Sequence, residues 1–387
     1  MPLLALGNVL AGMLLIPAAR PFLAARFPGS DGALHAFFSV NMLGAAVGAP
    51  LVSRLADRLG SRRGLAAGLS VLDAGLLLAC LLPLPLWAML TLRTLQGAAG
   101  VGALSIVMGS ARRGQSPSAH GGAMGRMAAA VVAGIALGAP VGTVLLSGGA
   151  TFVFMAAGAV AAVVALGCLT IEGGAPVRKG DAGSMRSAAR AVRVPALFVG
   201  AERFAVGCFV TTFSLYAHQA LGLNDRQVGA GFSLFLLCFA LSSWTVGAVS
   251  ARLSPALLLC AGAALFGGGF AALGFVGAGG LWPTLALMGL ASGCIYTPSL
   301  CLASQPVPEA QRATAMGLIN GAGTLGMMLG TALAGVLSAG LMHGGWTRGA
   351  AAAAVFLVAG LTQWVVLALS GPALLRLVRG QAPLESR

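Results

Sequence analysis

Long apolar stretches recur along the whole 387-residue chain, and they restrict its possible folds more than any other feature. A helix needs about 20 apolar residues to cross the hydrocarbon core of a bilayer. Cutting the chain where charges, prolines and glycines cluster leaves twelve stretches long enough to do so. They run approximately over 3–24, 34–55, 64–84, 86–110, 122–146, 150–171, 195–219, 227–250, 255–276, 281–304, 313–341 and 347–370. The sequence therefore predicts an all-α integral membrane protein with twelve transmembrane helices.

The charge content excludes most soluble classes of protein. Only 8% of the residues are charged and 58% are apolar, whereas a soluble domain has about 25% charged residues. So few charges cannot cover a surface that faces water, which excludes a cytosolic enzyme and a disordered chain. A net charge of +14 would otherwise indicate a nucleic-acid partner. In a membrane protein we assign this charge to the loops, and we expect no nucleic acid to bind.

The positions of the basic residues predict the orientation of the helices. Arg and Lys accumulate in the cytoplasmic loops of membrane proteins. If the N-terminus is inside, seventeen of them lie in the inner loops and tail, and three, Arg26, Arg226 and Arg348, lie in the outer loops. We therefore expect a multi-pass protein of the bacterial inner membrane, surrounded by lipid, with both termini in the cytoplasm.

The sequence shows no feature that is typical of an enzyme. All seven cysteines lie in apolar stretches without a Cys-x-x-Cys pair, which favours small buried side chains over disulfides or a metal site. No nucleotide-binding loop, catalytic cluster or soluble domain is visible. We expect no enzymatic activity, no cofactor and no metal. A membrane-embedded enzyme or receptor is a remote alternative.

The longest break between the apolar stretches divides them into two sets of six. We predict a first bundle over 1–171, a cytoplasmic linker over 172–194, and a second bundle over 195–387 that ends in a short cytoplasmic tail. Within the linker, the tract 184–194 fits either a short amphipathic helix on the inner membrane surface or a plain linker.

An internal repeat agrees with this division. The segments Gly122–Gly125 and Thr314–Gly317 have similar sequences at an offset of 192 residues, and each precedes an apolar stretch. The same offset places Gly134 and Gly138 on Gly326 and Gly330. Two repeats of six helices are the layout of many secondary transporters.

The loop after the second predicted helix carries a charged motif. Gly48 is followed downstream by Asp57-Arg58-Leu59-Gly60-Ser61-Arg62-Arg63. This resembles the loop motif of the major facilitator superfamily, Asp-Arg-x-Gly-Arg-Arg, with Ser61 inserted or replacing one Arg. A carboxylate at an inner helix end can pair with Arg112 or Arg113, or with the positive N-terminus of a neighbouring helix. We interpret the motif as a conformational switch that is closed in one state. Ordinary cytoplasmic basic charge is the alternative, but it explains neither Asp57 nor Gly60.

The fourth predicted helix contains Arg93-Thr94-Leu95-Gln96-Gly97, which resembles the Arg-x-x-Gln-Gly motif of the same superfamily. An Arg at the centre of a membrane costs about 2.5–3.5 kcal/mol, so it should face a cavity or a partner. Gln96 lies one turn further along the same face and could share that ligand or partner. Extension of the Arg93 side chain to the outer headgroups is the alternative.

The fifth predicted helix contains Gly134, Gly138, Pro140 and Gly142 in the pattern Gly-x-x-x-Gly-x-Pro-x-Gly. Such glycines allow close helix packing, and the proline kinks the helix. The pattern resembles the helix-5 motif of antiporters in the superfamily, and Pro17 with Pro21 in helix 1 is similar to the twelve-helix drug–proton antiporter branch. The resemblance implies alternating access, with export of small amphipathic organic molecules in exchange for protons. A proton-coupled uptake symporter for a small metabolite is the runner-up.

Two acidic residues lie at membrane depth, Asp73 in helix 3 and Glu202 in helix 7. A buried carboxylate in a membrane helix can carry a proton. We favour Glu202 as the coupling group, because its helix belongs to the cavity-lining set and it lies 194 residues after Asn8 of helix 1. Asp73 could instead be a structural partner of a neighbouring helix, and Glu202 could pair with a nearby Arg. Helix 1 lacks the carboxylate that several multidrug antiporters use, which leaves the coupling ion open.

Polar and aromatic side chains on helices 1, 4, 7 and 10 are the candidates for a substrate cavity. They include Asn8, Arg93, Gln96, Thr212, Tyr216 and Tyr296. A cavity with so few charges suits an amphipathic solute better than a sugar or a phosphate. We expect a monomer whose partners are a small-molecule substrate, protons and membrane lipid.

Overall fold

The computed structural model describes residues 1–28, 32–111, 120–171, 184–250 and 253–380. Within these ranges the chain forms twelve α-helices and no β-strand, which confirms the predicted all-α fold. The helices are α1 (Pro2–Arg26), α2 (Gly32–Leu59), α3 (Arg62–Ala79), α4 (Leu86–Ser110), α5 (His120–Leu145), α6 (Ala150–Cys168), α7 (Met185–Gln219), α8 (Asp225–Val249), α9 (Pro255–Leu273), α10 (Ala278–Ser304), α11 (Arg312–His343) and α12 (Arg348–Gly380). Two short 3₁₀ turns, Leu146–Gly148 and Glu309–Gln311, complete the described elements.

Eleven of the helices in the described ranges are long and apolar enough to cross a membrane. The remaining helix, α3, has 18 residues and carries Arg62, Arg63 and Asp73 within that length. The two arginines lie in its first turn, at the predicted inner end; Arg63 is exposed, and Arg62 is buried in a contact with Asp57. Only Asp73 interrupts the apolar part, so α3 fits the twelfth span.

The turns between successive helices form at residues that end or begin helices. Residues 83–85 lie between α3 and α4 in non-helical conformation, and Pro85 is the N-cap of α4. Gly60, between α2 and α3, has a φ of 67°, a left-handed conformation that glycine adopts without a steric penalty. This sharp turn brings the start of α3 back towards the end of α2. Between α7 and α8, the side chain of Asn224 and that of Gln227 form a capping box that begins α8.

The seventh helix begins ten residues earlier than the predicted 195, at Met185. The tract 184–194 is therefore neither a separate surface helix nor a plain linker, because it continues directly into α7. Ala188 and Val192 lie one turn apart and are buried, whereas Arg186 and Arg190 are exposed. This amphipathic pattern explains the early start. The preceding part of the predicted linker, 172–183, lies outside the described residues.

The chain forms two compact units that interleave along the sequence. The first contains Met1–Gly114, Ala130–Val192 and Pro306–Thr324; the second contains Gln115–Ala129, Arg193–Gln305 and Leu325–Arg387. In the first unit α2 packs on α4, α3 packs on α4 and α6, and α1 packs on α6. In the second unit α10 packs on α8 and α9, and α12 packs on α9. Three of the boundaries fall inside α5, α7 and α11, so each of these helices contributes to both units.

Glycines related by the 192-residue offset make matching contacts inside the two units. In the first unit, a Cβ atom on Gly97 would lie 2.0 Å from the backbone oxygen of Asn41 in α2. In the second unit, a Cβ atom on Gly289 would lie 2.4 Å from the backbone oxygen of Phe235 in α8. Both distances are far below van der Waals contact, so the helix pairs α2–α4 and α8–α10 can approach this closely only through glycine.

Candidate functional site

The carboxylate of Asp57 is completely enclosed at the end of α2, where its exposed fraction is 1%. Its Oδ1 accepts a hydrogen bond from Arg62 Nη2 at 2.8 Å. Its Oδ2 accepts two more, from the backbone nitrogen of Thr314 at 2.7 Å and from the Thr314 hydroxyl at 2.8 Å. Thr314 lies in the first turn of α11, where unpaired N–H groups favour a negative charge. Of the partners considered from the sequence, the helix N-terminus is the one observed; Arg112 and Arg113 lie outside the described residues.

Arg62 extends this contact to the segment before α11. Besides Asp57, it donates to the backbone oxygen of Glu309, and its Nη1 lies 4.0 Å from the Glu309 carboxylate. The left-handed turn at Gly60 positions Arg62 for both contacts. The other two arginines of the motif, Arg58 and Arg63, are exposed. We call the contacts among Asp57, Arg62, Glu309 and Thr314 the α2–α11 clasp.

Gly48 of the same motif has a packing role within α2. A Cβ atom on it would lie 2.2 Å from the Cβ atom of Ala98 in α4. One turn earlier, a Cβ atom on Gly44 would lie 1.9 Å from the backbone oxygen of Thr94. These contacts hold α2 firmly against α4, so the helix that carries Asp57 is rigidly placed in its unit.

A second polar cluster lies inside the first unit, around Gln96 of α4. Its Oε1 accepts hydrogen bonds from Arg93 Nη1 and from Asn41 Nδ2, both at 2.6 Å. Its Nε2 donates to Asp73 Oδ1 at 2.5 Å. Arg93 is only 2% exposed, and its guanidinium carbon lies 4.3 Å from the centre of the Phe37 ring. The side chain therefore turns into the bundle instead of extending to the headgroups, and Gln96 links it to Asp73.

The glycines of helix 5 pack against α1 inside the first unit. A Cβ atom on Gly138 would lie 2.1 Å from the Cβ atom of Met13, and one on Gly142 would lie 2.3 Å from the backbone oxygen of Leu14. Gly134 meets the backbone of α1 in the same way at 2.7 Å, whereas Pro140 lies within α5 and is exposed. The helix-5 motif is thus a close-packing surface for α1.

A third cluster lies inside the second unit, around Glu202 of α7. This carboxylate has no exposed surface. Its Oε1 accepts a hydrogen bond from the Ser292 hydroxyl of α10 at 2.5 Å. Its Oε2 lies 3.3 Å from Arg203 Nε, but the two groups are not aligned as a hydrogen bond, and this oxygen has no hydrogen-bond partner among the described residues. Glu202 thus forms an ion pair with its neighbour, and only one of its oxygens is firmly held.

Two aromatic rings hold Arg203 in this position. Its guanidinium carbon lies 4.9 Å from the centre of the Tyr296 ring and 5.4 Å from that of Phe239. The rings themselves meet edge to face with centres 6.0 Å apart. Cation–π contacts at these distances stabilise a guanidinium by about 0.5–2 kcal/mol, more when water is excluded. We call Glu202, Arg203, Phe239, Ser292 and Tyr296 the α7 cluster.

The other candidate cavity residues lie apart from these clusters. Thr212 and Tyr216 are ten and fourteen residues beyond Glu202 in α7, about 15 and 21 Å along a helix. The Tyr216 hydroxyl donates to the backbone oxygen of Val276 at 3.3 Å, and its ring packs on Phe356. Asn8 lies in α1 and is 9% exposed. The structure therefore places Tyr296 in the α7 cluster, whereas Asn8, Thr212 and Tyr216 lie outside it.

Several partners of these clusters were not singled out from the sequence, among them Asn41, Phe239, Ser292 and Thr314. Asn41 is the clearest case, because an Asn inside an apolar helix needs a hydrogen-bond partner and could have been flagged on that ground. A serine, a threonine and a phenylalanine in membrane helices carry no such signal, because each can satisfy itself within its own helix or against lipid.

The sequence comparisons agree with this architecture. The model of the Major Facilitator Superfamily matches residues 3–216 and again 196–383, which together cover almost the whole chain. The chain belongs to the major facilitator superfamily. Its fold is also similar to the crystal structure of the human organic anion transporter MFSD10 (TETRAN), with a TM-score of 0.72 and 19% identity over 95% of this chain and 97% of that one. No match was found among curated protein sequences.

Membership of the superfamily decides several general properties. The protein is a multi-pass membrane protein and a secondary transporter, and it is not an enzyme. It binds a small-molecule substrate, as members of this superfamily do. In the ranges that the structure describes, no group of three or more His, Cys, Asp and Glu side chains is arranged to hold a metal ion.

Proposed function

We propose that the protein exports small amphipathic organic molecules across the bacterial inner membrane in exchange for protons, by alternating access, with both termini in the cytoplasm. Glu202 carries the proton in this proposal. The observation that supports it most directly is a fully buried carboxylate with one oxygen that accepts no hydrogen bond among the described residues.

The environment of Glu202 suits a group that changes its protonation state. Burial of a carboxylate is costly unless the charge is paired or removed by a proton. Arg203 supplies the pairing at 3.3 Å, but without the aligned hydrogen bonds that would make the ionised state strongly preferred. The Ser292 hydroxyl can bond to either state of the carboxyl group. Both states are therefore accommodated with small rearrangements.

Asp73 is the second candidate for the coupling group. Its Oδ1 accepts a hydrogen bond from Gln96, which in turn accepts one from Arg93. This arrangement links α3 to α4. It supports a structural role, because removal of Asp73 would leave the Gln96 side chain of α4 without its acceptor. We therefore assign Asp73 a supporting role.

The α2–α11 clasp supplies the conformational switch of the proposal. Three hydrogen bonds on a single buried carboxylate form a discrete contact that is either made or broken. Contacts of this kind allow a small movement of one helix to change the relative stability of two states. The other motif residues have supporting positions around the clasp. Gly48 packs α2 against α4, Gly60 forms the turn, and Arg58 and Arg63 are exposed basic side chains.

Transport in proteoliposomes tests the assignment of the proton. Labelled naphthalenesulfonate and naphthylmethyl-trimethylammonium serve as probes, since both are amphipathic and keep a fixed charge. With Glu202→Gln, we expect loss of accumulation driven by a pH gradient, whereas exchange of labelled for unlabelled probe persists because it needs no net proton movement. With the matched variant Asp73→Asn, we expect proton-driven accumulation to remain and the melting temperature to fall.

Three other results would change the proposal. If only the Asp73 variant loses uphill transport, the two roles are reversed. If both variants keep it, neither acid carries the proton, and exchange driven by substrate gradients is the better explanation. If the Glu202 variant loses exchange as well, this residue is needed for the transport cycle itself.

Proton-coupled symport is the second candidate function, and one observation favours it. Glu202 has Arg203 as its counter-ion. Protonation of the carboxyl group would leave a positive charge without its partner, and a negatively charged substrate could then replace it. A proton and such a substrate would move together.

A further inference from the structure

The two charged groups of the α7 cluster differ in their access to a ligand. The Glu202 side chain is fully buried, whereas 13% of the Arg203 side chain is exposed. A guanidinium has five N–H donors, and one of them, Nε, points towards Glu202. A molecule that approaches the cluster therefore meets the positively charged group, and the carboxylate lies behind it.

We infer that Arg203 binds the acidic group of the substrate, and that the substrate class is an amphipathic organic anion. This inference rests on the proposed role of Glu202 as the proton carrier, and it develops the second candidate function, symport, as an alternative to exchange. Arg is suited to this role because its planar donors match the two oxygens of a carboxylate or sulfonate. The rings of Phe239 and Tyr296 hold the guanidinium in place when its ion pair with Glu202 is broken, so the anion meets an ordered binding group.

The ion pair couples this binding to a proton. While Glu202 is ionised, it neutralises Arg203 and repels a second anion. When Glu202 takes up a proton, Arg203 loses its counter-ion and the anion supplies a new one. Each bound anion is accompanied by one proton, so binding becomes tighter as the pH falls. The proton and the substrate then cross together, as in the second candidate function, so a positive result would replace exchange by symport.

The other elements packed around Glu202 bring few groups that could titrate in its place. On α10, Tyr296 contacts Arg203, and Cys294 lies against Ser242 of α8 at 3.9 Å. Among the described residues, α8 contributes Cys238 as a further titratable side chain within its membrane part, and α11 meets α7 through Gly326 and Gly330. No second carboxylate on these helices faces Glu202 in the described ranges, so a dependence on pH reports this residue.

Binding to the purified full-length protein tests the inference with three probes of the same size and different fixed charge. They are naphthalenesulfonate, neutral naphthalenesulfonamide and cationic naphthylmethyl-trimethylammonium, measured by calorimetry between about pH 6 and about pH 8. We expect the sulfonate to bind at least about tenfold more tightly than the sulfonamide. Its affinity should rise by up to about tenfold for each pH unit of acidification, because one proton is taken up with it.

Variants of both charged residues identify the groups responsible. With Arg203→Gln, the sulfonate should bind no better than the sulfonamide, whereas Arg203→Lys should recover part of the preference. With Glu202→Gln, binding of the sulfonate should stay tight and become independent of pH. The double variant carries no unpaired charge, so it should fold even if the single Arg203→Gln does not, and it should also lack the preference for the anion.

The results separate failure of the inference from failure of the proposed function. Equal binding of sulfonate and sulfonamide, or an unchanged preference after loss of Arg203, would overturn the anion site while Glu202 could still carry the proton. Binding of the cation that weakens on acidification would overturn the inference in favour of exchange. A sulfonate affinity that does not depend on pH in the unmodified protein would refute the coupling through Glu202 itself.

Discussion

Replacement of Asp57 by Asn should slow transport without preventing folding. The carboxylate accepts three hydrogen bonds, one from Arg62 and two from Thr314, and two of its contacts involve a charge or a helix N-terminus. Asn has the same size, but only one of its two terminal groups, the amide oxygen, accepts hydrogen bonds. Its NH₂ group must then lie against Arg62 or Thr314, where the present partner is a hydrogen-bond donor. Loss of the charge and of at least one bond costs about 3 kcal/mol, which changes the ratio of two conformations by about a hundredfold.

Because this cost applies only to the state in which the clasp is closed, the protein can relax to the other state and remain folded. Initial rates of probe uptake into proteoliposomes should fall at least about tenfold, while the yield and the elution profile of the purified variant stay normal. Thr314→Val should give a smaller loss, since it keeps the backbone N–H. Arg58→Gln removes an exposed charge from the same motif and should transport normally. A full transport rate with Asp57→Asn would refute the clasp as a switch.

Three further predictions concern topology and packing. Single cysteines at Ser184 and Asp225, in a cysteine-free background, should react with an impermeant maleimide from opposite sides of the membrane; labelling of both from outside would contradict the predicted orientation. Gly330→Ala should lower the apparent melting temperature by an amount equivalent to about 1–3 kcal/mol, because its Cβ atom would lie 2.0 Å from a backbone oxygen, whereas Gly340→Ala meets nothing within 4 Å and should leave the temperature unchanged. Arg26→Gln should also lower the melting temperature, measured in the same assay, because Arg26 donates to three backbone oxygens at the end of α3.

The positions of the helices were predictable to within a few residues for most of the chain. The largest errors, of ten residues each, were the start of α7, predicted at 195 and observed at Met185, and the end of α12, predicted at 370 and observed at Gly380. The tract before 195 contains three arginines, and hydropathy alone treats such a tract as a loop. Its charges lie on one face, however, and the other face packs Ala188 and Val192 in the bundle. The signal was the helical spacing of these small apolar residues, which outweighs the local charge.

The candidate site was predictable as a set of residues but not as a set of partners. Three residues were singled out because a charged side chain is costly inside a membrane and is therefore expected to have a partner or a function. They are Arg93, Asp73 and Glu202. That Gln96 joins the first two, and that Ser292 bonds to the third, depends on how each helix is rotated about its axis. A rotation of one residue, about 100°, would direct any of these side chains to a different neighbour.

The sequence by itself determined the membrane-spanning helices, their number and the family, because a bilayer core leaves an unpaired backbone no partner except its own helix. It also located the charged motif at the C-terminal end of α2. Only the tertiary structure decided that Asp57 meets Thr314, 257 residues away, and that Glu202 lies against Ser292, 90 residues away. The first pairing is accompanied by a close glycine contact: a Cβ atom on Gly317 of α11 would lie 2.8 Å from the backbone oxygen of Ala49 in α2. Such contacts join segments that are far apart in the chain, and they depend on differences of about an ångström in the distance between helices. The sequence pattern of a single segment therefore does not predict them.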